Sequence, residues 1–182
     1  MLALTRRALV ALALAAALPA FAQDAPTNTV VLKTRNGDIV IRLLPEIAPK
    51  HAKQIQTLVA RHFYDGIVFH RVIPGFMAQT GDPTGTGSGG SDLHNVPLEA
   101  SATPFKRGSV GMARSQEPDS ANSQFFICTA DTPFLNGNYT VFGEVVSGMD
   151  VVDKIKAGTQ ANNGAVKNPD KIVSLRFAPD AK

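Results

Sequence analysis

One cysteine in 182 residues rules out a disulfide within the chain. That residue, Cys128, sits in the apolar run FFICTA, so a buried and inert thiol is expected. There is no Gly-x-Ser-x-Gly: Ser88 has Thr86 two places before it, where a hydrolase elbow needs glycine. Paired carboxylates are missing from the strand-like segments, so acid–base hydrolysis has no obvious machinery. The four histidines, His51, His62, His70 and His94, show no ligand spacing with one another or with the cysteine, and no metal or cofactor is implied. His51 and His62 read as solvated helix residues, and His70 as a hydrogen-bonded core histidine in a strand. The glycine-rich stretch GTGSGG, residues 85–90, reads as a flexible loop and lacks the Gly-Lys-Ser/Thr of a phosphate cradle. Basic residues are scattered rather than gathered into a stripe, so nucleic acid is not an expected partner.

Long apolar runs are missing too, except at the start. Arg6 and Arg7 precede ALVALALAAA, a run of signal-peptide length, and Ala20-Phe21-Ala22 is a small-x-small cleavage site. The reading is an export signal over residues 1–22, cut after Ala22 and directing the chain to the periplasm, with the general secretory route favoured over the twin-arginine one. The run is short for a membrane span, and no cysteine follows the cut to carry a lipid, so no membrane anchor is expected. Removing 22 of 182 residues leaves residues 23–182, enough for one domain with a real core. Without Arg6 and Arg7, the 18 basic residues fall to 16 against 15 acidic ones, a net charge of +1. Nothing signals an oligomer interface, so a monomer is the default.

What is present is mostly short strands. TVVLKTRNGDIVIRLLP, residues 29–45, holds two β-branched runs around Asn36-Gly37, the favoured pair for a type I′ hairpin. Residues 46–64 have helical periodicity, with Pro49 suited to the first turn and Ala52, Ile55, Leu58 and Val59 on one face. IVFHRVI and FMAQTGD are two strands divided by Pro74-Gly75, and GSVGMAR, SQFFICT, YTVFGEVV and KIVSLRFA are four more. GMDVVDKIKAG reads as a second helix with Gly158 as its C-cap. Many short strands and two helices point to a mainly β fold, an antiparallel barrel with the helices plugging its ends. Bulky Phe, Ile and Val on the inward faces should fill it, which leaves no room for a ligand inside.

Chemistry therefore has to come from an outer surface. Strand alternation places Met77 with Gln79, and Gln124 with Phe126, while Phe125 and Ile127 face the other way. PFLNG, residues 133–137, is a turn exposing Phe134 and Leu135. Together these could form a shallow apolar dish rimmed by Arg71, Gln79 and Gln124. On periodicity alone, a plain core with Arg71 as a surface residue fits equally well.

Three segments resolve that choice. FHRVIPGFMAQTGD, SQFFICTADTPFLNG and YTVFGEVVSGMDVVDKI resemble the cyclophilin-type peptidyl-prolyl cis-trans isomerases, and the likeness spans roughly residues 29–178. With the export signal, the chain is most similar to the periplasmic bacterial members. The resemblance implies an eight-stranded antiparallel barrel with two capping helices, and isomerisation of X-Pro bonds during folding of exported proteins. Carried across residue by residue, it implies a catalytic Arg71, a proline pocket of Phe76, Met77, Phe126 and Leu135, and polar partners Gln79 and Gln124. Ala113 and Arg114 match the backbone segment that lies along the bound peptide. Phe134 stands where many members have tryptophan, which this chain lacks altogether, and Tyr139 where many have histidine. Cyclosporin binding is accordingly expected to be weak. Arg114 replaces a frequent asparagine, and either favours acidic residues before the proline or simply faces water. The implied partners are proline-containing unfolded or extended polypeptides. A non-catalytic chaperone holding such segments in the same groove is the rival reading, although it has no need of Arg71.

Overall fold

The computed structural model describes residues 28–179, so the expected export signal and its cut after Ala22 lie outside the described residues. Eight strands form one sheet: β1 (Thr29–Thr34), β2 (Gly37–Leu43), β3 (Arg71–Ile73), β4 (Met77–Thr80), β5 (Ser109–Met112), β6 (Phe125–Cys128), β7 (Val141–Ser147) and β8 (Ser174–Phe177). Their order is β3-β4-β6-β5-β7-β2-β1-β8, and every pairing is antiparallel. The sheet curls so that the segments preceding its two edge strands, β3 and β8, meet. The seam is closed by backbone bonds between residues 66–69 and 170–172, such as Phe69 N–H to the Asp170 carbonyl at 2.9 Å. This is the expected mainly β barrel architecture, with two helices, α1 (Pro49–Ala60) and α2 (Met149–Val152).

The pattern of alternate residues decides what lies inside. In β1 and β2, Val30, Leu32, Ile39, Ile41 and Leu43 are buried while their neighbours look outward. They join Phe125, Ile127, Val110, Met112 and Phe142 in the main core, so the barrel is packed rather than hollow. Helix α1 lays Ala52, Ile55, Leu58 and Val59 on this core, as its periodicity suggests, with Pro49 in its first turn.

Several expectations need correction. The hairpin tip is Arg35-Asn36, since Thr34 pairs with Gly37. Only Gly37 has a positive φ, +134°, so the turn is not type I′, which needs positive φ at both tip residues. Helix α2 is one turn long rather than spanning residues 148–158. The Asp170 carboxylate takes the Lys156 N–H at 2.8 Å, and Lys154 and Ile155 bond only three residues back. Gly158 is no C-cap: a side chain there would meet the Gly164 carbonyl at 2.3 Å, so close backbone approach is what requires glycine. His51 is buried, not solvated, because its ring Nδ1 bonds Glu99 at 2.7 Å. His62 is exposed but lies past the end of α1, with φ +56°. His70 precedes β3, and neither ring nitrogen has a hydrogen-bond partner among the described residues. Loop 85–90 is tied rather than loose. Asp82 accepts from Thr84 and Gly87, and Gln124 donates to the carbonyls of Gly87 and Gly89. Burial pushes the Asp82 carboxyl up, but these hydrogen bonds outweigh it and hold its pKa down at about 2.

Candidate active site

Strand register assembles the site. Arg71 on β3 is directly opposite Gln79 on β4; Gln79 is opposite Phe126 on β6, and Phe126 opposite Gly111 on β5. Residues directly opposite in antiparallel strands share a face, so the four form one row across the sheet. That face is the outer one. Ala78, Ile127 and Val110, one step along, belong to the main core, whereas Met77, Phe126 and Cys128 belong to a second apolar cluster with Phe105, Leu135 and Val141.

The row borders a slot of about 100 Å³ lined by Arg71, Phe76, Met77, Gln79, Ala113, Arg114, Phe126, Leu135 and Tyr139. Drug-sized ligands use sites of roughly 300–1,000 Å³, so this one suits a single small ring. Nine of the residues singled out from the sequence meet here. Gln124 lines an adjoining polar groove of about 610 Å³ that shares Gln79, Ala113 and Arg114 with the slot. Phe134 stands outside both, 66% exposed on a 3-10 turn (Pro133–Leu135), with its ring 5.3 Å from that of Phe76. Leu135, expected to be exposed with it, is instead buried against the slot.

Polar side chains form a directed chain. The Arg71 guanidinium donates to Gln79 Oε1 at 3.1 Å, and Gln79 Nε2 donates to Gln124 Oε1 at 2.9 Å. Gln124 Nε2 then donates to the Gly87 and Gly89 carbonyls. Each amide is oriented by its neighbours, so Gln79 presents oxygen, not nitrogen, to the cation. Arg71 is also held by Asn163, whose carbonyl and Oδ1 accept at 3.0 and 2.9 Å. Burial lowers the Arg71 pKa from its usual value, but a guanidinium stays charged at neutral pH. Among the described residues no carboxylate is paired with it.

Arg114 is half-buried and borders both the slot and the groove rather than simply facing water. Its guanidinium donates to the carbonyls of Ser115, Gln116 and Asn138 and lies 4.6 Å over the Tyr139 ring. It ties two loops together and backs Tyr139, which meets Phe126 edge-on at 6.0 Å. Cys128 is buried as expected, and burial pushes its pKa up to about 11.

Sequence reasoning missed three contributors. Phe105 stacks on Phe126 at 5.7 Å, Gly111 makes room for both rings, and Asn163 holds Arg71. None lies in the segments that signalled the site. The Asn162-Asn163-Gly164 run is, however, a readable sign of left-handed backbone.

The slot lining has no serine, cysteine, aspartate or glutamate, so it offers no activated serine or thiol and no carboxylate base. It offers two guanidinium groups, of which Arg114 is engaged with backbone carbonyls and the Tyr139 ring, one neutral amide and an apolar wall. Fold and site together define a class of barrel proteins with a ring-sized apolar slot beside a cation. The comparisons agree. The family model for cyclophilin type peptidyl-prolyl cis-trans isomerase/CLD matches residues 29–177. A probable peptidyl-prolyl cis-trans isomerase of Brucella suis is 56% identical over 99% of this chain and 97% of its own. The crystal structure of a Hirschia baltica cyclophilin has a TM-score of 0.75 at 29% identity, covering 87% of this chain and 76% of its own. That of a Cryptosporidium parvum cyclophilin type isomerase, solved in the presence of the dipeptide Ala-Pro, scores 0.76 at 29% identity, covering 84% and 99%. The chain belongs to the cyclophilin-type peptidyl-prolyl cis-trans isomerase family, and its reaction is the cis-trans isomerisation of X-Pro bonds.

Proposed function

We propose that Arg71 is the catalytic group of this isomerase, that Gln79 steers it, and that the enzyme serves the folding of exported proteins in the periplasm. The observation that carries the first part is the uncancelled cation: Arg71 touches the proline-sized slot, and its acceptors are the neutral oxygens of Gln79 and Asn163.

Rotation about a peptide bond faces about 18–20 kcal/mol because resonance makes C–N partly double. The enzyme must therefore hold the twisted imide better than either planar isomer. On twisting, the imide nitrogen turns pyramidal and regains its lone pair. A guanidinium N–H aimed at that nitrogen bonds the twisted form more strongly than the flat one. Phe76, Met77, Phe126 and Leu135 grip the pyrrolidine ring while the preceding carbonyl swings. Ala113 and Arg114 form the wall along which the peptide backbone lies, Gln124 borders the groove for the residues before proline, and Phe134 and Tyr139 flank the slot. The apolar lining excludes water, which strengthens the cation's effect.

An acceleration of roughly 10⁵ requires about 7 kcal/mol. One charge-assisted hydrogen bond supplies about 1.5–3 kcal/mol, so ring and backbone contacts contribute the larger share. The Ala-Pro dipeptide present with the Cryptosporidium parvum relative supports an X-Pro substrate of this kind. The export context rests on the sequence of residues 1–22.

The test is refolding of a protein whose slow phase is limited by proline isomerisation. The wild-type chain should accelerate that phase at catalytic concentration, and Arg71→Ala, equally folded, should do so roughly 10- to 150-fold less effectively. An equal acceleration by both would remove Arg71 from catalysis. A higher refolded yield with an unchanged rate would support the chaperone reading instead.

A further inference from the structure

Asn163 stands in a part of the chain that none of the site segments includes. A 3-10 turn (Gln160–Asn162) is closed by a reciprocal cap between Thr159 and Asn162, and the chain leaves it at Asn163 with φ +56° and ψ +32°. Left-handed backbone costs most residues energy and is tolerated best by glycine, asparagine and aspartate. The loop then lies along the edge of β3 that is not paired with β4. Val72 N–H bonds the Gly164 carbonyl at 2.8 Å, and the Gly158 and Val166 N–H groups bond the carbonyls of Val72 and His70. Gly164 packs so closely that a side chain there would meet Ile73 Cγ1 at 2.4 Å. These contacts fix Asn163 beside Arg71, two strand residues from Ile73.

The grip itself is two-pronged. Arg71 Nε donates to the Asn163 main-chain oxygen at 3.0 Å, and Arg71 Nη2 donates to Asn163 Oδ1 at 2.9 Å. One residue thus clamps one edge of the planar guanidinium as a carboxylate would, but with neutral acceptors. Gln79 takes a third N–H. A guanidinium has five, so two are left for the substrate.

We propose that Asn163 is a positioning residue of the isomerase: it aims Arg71 into the slot with two oxygens and leaves the positive charge uncancelled. The proposal rests on the catalytic reading of Arg71. A carboxylate in the same place would hold the side chain equally well and weaken the field that favours the twisted imide. A mere loop staple would not distinguish the two.

Asn163→Asp separates these roles, since it keeps both oxygens and tolerates the left-handed backbone. It should lower kcat about tenfold with KM within about twofold of wild type, and shift the Arg71 Nε–H NMR resonance. Asn163→Gly keeps the backbone and loses one prong; it should lower kcat several-fold and broaden that resonance. Wild-type kcat in a folded Asn163→Asp protein would overturn the proposal. If that variant does not fold, wild-type kcat in Asn163→Gly would do so. Arg71→Ala, run alongside, keeps the two readings apart. If it lowers turnover at least tenfold while both Asn163 variants are normal, only the role of Asn163 falls; if it is itself normal, the reading of Arg71 falls first.

Discussion

Gly111 shapes the slot by having no side chain. Its φ is unremarkable, and the constraint is steric: a Cβ there would lie 2.5 Å from Phe126 Cζ and 2.6 Å from Phe105 Cε1. Those rings lie over the glycine, and the slot's apolar wall depends on their lying flat. We expect Gly111→Ala to push Phe126 toward the space meant for the proline ring, raising KM about tenfold and destabilising the fold by about 1–3 kcal/mol, as overpacking does. Steady-state kinetics with a proline peptide and a thermal melt check both; an unchanged KM would contradict this account of the wall. Phe134 is the opposite case, a largely exposed ring whose aromatic neighbour among the described residues is Phe76. Phe134→Trp should enlarge the apolar face at the rim and raise cyclosporin affinity by about tenfold in a titration, and tight binding to the wild-type chain would contradict the expectation of weak binding. These two residues also mark what was legible. Alternation pairs Met77 with Gln79 and Gln124 with Phe126, and the family resemblance of their segments made Met77, Gln79 and Phe126 readable as site residues. Gly111 and Phe105 could not, because their role arises from strand register and long-range packing.

Helix α1 shows how an element can depend on a distant side chain. Its N-cap, Ala48, offers no side-chain acceptor. Glu99, far along the chain, accepts the N–H groups of Lys50 and His51 and the His51 ring N–H. A carboxylate at this position satisfies orphan donors and complements the helix dipole. Burial lowers the His51 pKa, against the pull of Glu99, so the ring stays neutral and donates through Nδ1. For Glu99, burial raises the pKa, but the bonds from His51 and Lys50 outweigh it and the net direction is down. Both groups bind protons more readily in the unfolded chain. The stability they contribute is therefore complete above the usual histidine value of 6.5 and is lost as pH falls, first through His51 and then below 4.5 through Glu99. Thermal melts should show Tm declining below about pH 6.5. Glu99→Gln should cost about 1 kcal/mol at pH 7, as loss of a cap does, and flatten the acid slope below pH 4.5. A wild-type Tm that is constant from pH 7 to 4 would contradict this. A helix within residues 46–64 was readable from local periodicity, though it runs only from Pro49 to Ala60, whereas the pairing of His51 with Glu99 is set only when loop and helix meet. The short α2 is a similar case: GMDVVDKIKAG is helical by pattern, and Asp170 diverts the Lys156 N–H.

At the scale of the whole molecule, the curled sheet separates two jobs. Its inner face holds the core, and its outer face carries the row Arg71–Gln79–Phe126–Gly111, so the reacting groups stand on paired strands rather than on loops. The architecture was legible because short strands and turn signals alternate along the chain; the closure of the seam through residues 66–69 and 170–172 was not, since those segments read as ordinary strand ends. Export belongs to this scale as well. Expressed with residues 1–22 in a Gram-negative host, the chain should be recovered from the periplasm beginning at Gln23, and an intact N-terminus in the cytoplasm would refute the assigned signal. The central claim is that the Arg71 charge is spent on the twisted imide and not on holding the planar peptide. Exchange NMR on an X-Pro peptide measures both quantities in one sample, the on-enzyme isomerisation rate and the dissociation constant. For Arg71→Ala the account predicts a rate lower by roughly 10- to 150-fold, the equivalent of about 1.5–3 kcal/mol, with Kd within about threefold of wild type. A variant that isomerises bound peptide at the wild-type rate, and is slower only because it binds more weakly, would contradict it.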